Sequence, residues 1–197
     1  MIHPFYPILC TDNSTTENPL RSCPKSLKSA FLAVLSATVS TFSASTLADI
    51  EDGAAKRAAD LFTTAQYEFS PGESFANDLA CIQIMILLAL EAEWHGPFPL
   101  GPPYTKWLSN AIYLANSIRL YDYKKAQISI GTNDYDPETD FVRRIWWTLI
   151  IMDRWHASST SSHVMIPDEA AALHAEDPDL SNNNLYHLTR KSLYSLN

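Results

Sequence analysis

Pro137-Glu138-Thr139-Asp140-Phe141-Val142-Arg143-Arg144-Ile145-Trp146-Trp147-Thr148-Leu149-Ile150-Ile151-Met152-Asp153-Arg154-Trp155-His156-Ala157 is the stretch on which the fold turns. Asp136 before Pro137 reads as a helix start, because a carboxylate caps free N–H groups and proline is tolerated in the first turn. Glu138 and Asp140 then lie at the positive end of the helix dipole. Trp146, Ile150 and Asp153 fall on one face, so Asp153 is drawn inward and needs a partner such as a neighbouring Arg or an indole N–H. Trp146 and Trp147 point about a hundred degrees apart, which predicts a helix buried on more than one side with both rings largely buried. On the flank, Arg143 stands one turn before Trp147 and can lay its guanidinium on the indole, and Arg144 can pair with Asp140.

Apolar residues recur at helical spacing on either side of this stretch. Leu27, Ala30, Phe31, Val34, Leu35, Thr38 and Phe42 predict a first helix from Ser26 to about Leu47. Asp49 and Asp52 precede a second stripe, Ala54 to Phe69, that ends at Ser70-Pro71-Gly72. Ser74 is placed to cap a third helix through Leu79, Ile82, Ile84, Met85, Ile86, Leu87, Leu88 and Leu90, apolar almost all round, expected to be central and too short to cross a membrane. After the breaker-rich segment His95 to Pro103, a fourth helix is predicted from Tyr104 to about Tyr121. Ile166-Pro167-Asp168-Glu169 opens a short helical segment, and Asn182-Asn183-Asn184 precedes an amphipathic tail. The expectation is an all-α domain of about six to seven helices over residues 25–197, around the central apolar helix and the Arg-Arg-x-Trp-Trp helix. Residues 1–24, rich in proline and polar residues, are expected to form a wrapping segment.

Composition narrows the function. The chain has 197 residues, 46% hydrophobic and 18% charged, with a formal net charge of −8. An acidic chain with scattered Lys and Arg is poorly suited to neutralising phosphates, so direct DNA binding is disfavoured. Cys10, Cys23 and Cys81 have no C-x-x-C spacing, so neither a zinc site nor a disulfide framework follows from them. Cys81, inside an apolar run, reads as a small core residue and the compartment as reducing. No secretory signal opens the chain, and the Ser and Thr residues through Ser29 to Ala48 argue against a membrane span.

The helix bearing Arg143, Arg144, Trp146, Trp147, Asp153 and Arg154, followed by Ile166-Pro167-Asp168, resembles the signature of the fungal-specific regulatory region, or middle homology region, of zinc binuclear cluster transcription factors. In that region an Arg-Arg-apolar-Trp-Trp start, an Asp-Arg end and a Gly-Arg-Pro turn into Ile-Pro-Asp occur together. His3-Pro4-Phe5-Tyr6-Pro7-Ile8-Leu9 resembles its opening, Leu79 to Gln83 its buried Gln helix, and Trp107 to Leu120 its Trp, Ala-Ile, Ala, Leu helix. Two turns depart from the pattern: Ser161-Ser162-His163 stands for Gly-Arg-Pro, and Ser117-Ile118-Arg119-Leu120 for the Leu-Gly-Leu segment.

The resemblance implies a non-enzymatic nuclear regulator of transcription, with no cofactor, catalytic residue or metal ligand in this chain and no membrane partner. Promoter DNA and zinc would be engaged only through a six-cysteine cluster absent from this sequence, and a small-molecule effector or a protein is the implied partner. Because Met1 stands almost where the region begins, the expectation is a truncated product or a cluster-less paralogue. The named motif residues, Arg143, Arg144, Trp146, Trp147, Asp153, Arg154, Pro167 and Asp168, read chiefly as core and capping groups.

Two rivals remain on sequence grounds. One is an all-α enzyme with a pocket between the third, fourth and fifth helices, for which His95, Asp153 and His163 are the polar participants. The other is an inactive remnant with a partial core. Ser161-Ser162-His163 is read as a polar turn, since sequence neighbours rarely form a catalytic dyad. Glu91, Glu93 and His95 lack a second metal-binding pair and are read as polar residues near a helix end. Asp49, Glu51 and Asp52 suit a helix start, and Lys124-Lys125 a solvated face.

Overall fold

A computed structural model describes residues 20, 22–43, 53–68, 70–95, 102–122 and 137–172. Within them lie six α-helices and one short 3₁₀ turn, and no strand. They are α1 (Lys25–Ser43), α2 (Ala54–Gln66), α3 (Phe75–His95), α4 (Pro102–Ser117), the 3₁₀ turn Leu120–Asp122, α5 (Pro137–Thr160) and α6 (Asp168–Ala172). Most of the segment expected to wrap the core, with its His-Pro opening, Asp49 to Asp52, Lys124-Lys125, and the chain after α6 lie outside the described residues, as do the side chains of Glu93, His95 and Asp140.

The reason for this architecture is α3. Every residue from Asp78 to Glu91 is buried, so this helix has no solvent face over nearly four turns. It packs extensively against α1 and α4, with α2 and α5 making smaller contacts, and α1 and α2 form a hairpin on one side. At 21 residues α3 is long and apolar enough to cross a membrane, longer than its sequence pattern suggested. The other helices cover it instead: 78% of its most apolar window, Phe75–Ala92, is buried inside the protein.

The sequence places α5 beside α3 as a core helix, and from Phe141 to Ala157 only Trp155 is exposed. Its inner face, Phe141, Val142, Ile145, Trp146, Leu149, Ile150 and Met152, belongs to the core, while Trp155 is 58% exposed. Its neighbours are α4 and the 3₁₀ turn, with a narrower contact to α3.

Local chemistry sets the helix ends. In α1 the buried Thr38 hydroxyl donates to the Val34 carbonyl at 2.9 Å, so a polar side chain enters the core without an unmet bond. The start of α2 is Gly53, at φ 84°, with no side-chain cap bond; a left-handed N-cap suits glycine. That helix stops at Gln66, three residues before the predicted end, as the Tyr67 and Glu68 N–H groups turn to the carbonyls of Thr64 and Ala65. Ahead of α3, the Gly72 N–H donates to both Asp78 carboxylate oxygens, at 3.0 and 3.3 Å.

Asp78 is 1% exposed. Burial pushes its carboxyl above the ordinary value of 3.8, and the Gly72 N–H pulls it partly back. A carboxyl whose folded pKa is raised contributes stability that is full below 3.8 and is lost as pH rises through the folded value. Asp78→Asn, which keeps an acceptor for Gly72, is therefore expected to flatten the loss of stability on that acid limb. Urea unfolding of both proteins from acid to neutral pH checks this, and parallel pH profiles would contradict it.

The two turns that depart from the resembled pattern share one conformation. Arg119 has φ 54°, and Ser161 has φ 55°. Both are left-handed, a region that penalises side chains bearing a Cβ. Ser161 ends α5 in a Schellman arrangement, with the Ser162 N–H donating to the Ala157 carbonyl at 3.1 Å. Ser161→Gly should raise stability by about 0.5–1 kcal/mol, read as a higher thermal midpoint. Arg119→Gly should gain less, because it removes the 2.8 Å ion pair with Asp122. Ser161→Ala retains the Cβ and is expected to be nearly silent.

Candidate functional site

The motif residues separate into a buried wall and a clamp. The wall is Trp146, fully buried with its ring 5.9 Å from that of Tyr121. Trp147, one residue on, packs against the edge of the core and is less completely covered than Trp146. The hundred-degree step between them carries Trp147 toward the edge of the covered arc. Arg143 and Arg144 are half-buried on the flank, and the Arg144 guanidinium lies 5.8 Å from the Phe141 ring centre. The proposed Arg144–Asp140 pair involves a side chain outside the described residues.

The clamp joins the last turns of α5 to the start of α6. Asp153 is 0% exposed. Its Oδ1 accepts from the Met165 N–H at 2.9 Å, and its Oδ2 from the Ile166 N–H at 2.9 Å and the Arg154 Nη1 at 3.1 Å. Arg154, mostly buried, turns the same Nη1 to the Ile166 carbonyl at 2.9 Å and reaches Asp168 with Nη2 at 2.7 Å. Ile166 itself is fully buried, so its peptide groups would lack partners without these two side chains. Pro167 is exposed and immediately precedes α6, its carbonyl accepting from the N–H groups of Ala170 and Ala171 at 3.1 Å. Asp168 and Glu169 follow in the first turn.

Chemically, this arrangement is occupied. Three donors already engage the Asp153 carboxylate and no solvent reaches it, so its oxygens are not presented to a substrate. The enzyme rival also needs His163, which is exposed on the turn, and His95, whose side chain lies outside the described residues. No group of three His, Cys, Asp or Glu suited to a metal occurs among the described residues. Cys23 and Cys81 are buried thiols outside any disulfide, and the Cys23 Sγ donates to the Ala76 carbonyl at 3.5 Å; burial pushes the Cys81 thiol up to about 12, with Asp78 and Cys23 adding to it, and it raises Cys23 against the pull of Lys28. Thiols in that state are poor nucleophiles.

His156 was not among the residues singled out from sequence. It is 6% exposed, with its ring 5.4 Å from that of Tyr104 and Nε2 3.4 Å from the Thr105 hydroxyl. The Tyr104 hydroxyl donates to the Met152 carbonyl at 3.4 Å, a second tie between α4 and α5. The signal was available: Leu149, Met152 and His156 are spaced three and four apart, so they share one face.

Compared with known proteins, the chain is 29% identical over 197 residues to an uncharacterized transcriptional regulatory protein of Schizosaccharomyces pombe. The similarity covers 98% of this chain and 22% of the relative, so the chain spans about a fifth of that protein's length. No family model matches the chain. No solved structure matches it significantly.

Proposed function

We propose that this chain is a regulatory helical domain of a transcription regulator, of the kind found in the middle homology region of fungal zinc binuclear cluster factors. The observation that carries this reading is the similarity to a transcriptional regulatory protein along almost the whole chain. The acidic composition supports a division of labour in which this domain does not read DNA. Sequence recognition, and the zinc it requires, belong to a separate cysteine-rich segment. The domain acts in the nucleus as a body that holds the DNA-binding and activating parts of a regulator in a controlled arrangement, and an effector or a protein partner biases that arrangement. The reading includes no catalysis, and it is supported by the engagement in the clamp of Asp153, one of the three polar groups the enzyme rival needs.

Two measurements test this. In fluorescence anisotropy the isolated chain should bind labelled duplex DNA only weakly, without sequence preference and with strong salt sensitivity; a salt-resistant, sequence-specific complex would overturn the division of labour. Tethered to an unrelated DNA-binding module in a fungal cell, the chain should change transcription of a reporter bearing that module's site, and variants that unfold it should lose the effect. Reporter output equal to that of the module alone, with the folded fusion present at normal levels, would overturn the regulatory reading.

A further inference from the structure

No further inference is drawn: the strongest candidate, the uncharged outer face of α1 beyond its first turn, which carries the exposed Leu32 and Val39, has nothing in the structure to show what covers it.

Discussion

Trp146→Ala is expected to leave little folded protein, while Trp147→Ala retains a cooperative unfolding transition at a lower midpoint. Trp146 is 0% exposed and fills the space between α5 and the 3₁₀ turn that carries Tyr121. Removing such a ring from a packed core costs about 3–5 kcal/mol, a large share of the roughly 5–15 kcal/mol that holds a domain together. Trp147 sits at the core's margin, so its truncation should cost about 1–2 kcal/mol. Trp146→Phe adds a control. The Trp146 indole N–H makes no hydrogen bond, so Phe gives up ring volume without orphaning a partner and should be much milder than Ala. Urea unfolding of the three variants checks the order; equal losses at 146 and 147 would contradict the packing described for α5.

Asp153→Ala should be nearly as damaging, by a different mechanism. The change strips the acceptor from two backbone N–H groups, one of them on the fully buried Ile166, and leaves Arg154 without its buried counter-charge. Breaking a buried pair on one side costs about 3–5 kcal/mol, because the remaining charge and donors stay desolvated. Asp153→Asn keeps an oxygen for the Met165 or Ile166 N–H and should lose less. Arg154→Ala should fall between them, since it frees the Ile166 carbonyl and Asp168 but leaves the two N–H bonds to Asp153 in place. Thermal or urea unfolding ranks the three. A catalytic Asp153 would give the opposite pattern, with stability hardly changed and an activity lost.

Much of this was legible in the residue pattern, for reasons that also mark where legibility ended. Three-four spacing of apolar residues located α1 to α5, because burying one stripe of a helix is a local demand written along the chain. The inward turn of Asp153 followed from its place beside Trp146 and Ile150. Its partners did not: an adjacent Arg was foreseeable, but the Met165 and Ile166 N–H groups reach it only because the chain reverses at Ser161 and brings Ile166 back onto the core. That reversal needs a left-handed residue, and a serine at 161 carries no sign of it, just as an arginine at 119 carries none. How much less Trp147 is covered than Trp146 was not legible, because adjacency to a buried tryptophan says nothing about how wide an arc of the helix neighbours cover. The burial of His156 is written in the register of α5, on the face of Leu149 and Met152, and not in its own polarity.

Together these contacts assign the Asp-Arg and Ile-Pro-Asp segments of the motif a shared mechanical role, pinning the turn after α5 to the helix that precedes it. Native-state amide hydrogen exchange read at Met165 and Ile166 tests that role most directly. Both amides should exchange as slowly as those in the middle of α3, opening only with global unfolding, and should become fast in Asp153→Ala under conditions where α3 remains protected. Exchange at the rate of an exposed turn in the wild-type protein would contradict it, and the motif would then have to be explained by something other than the fold.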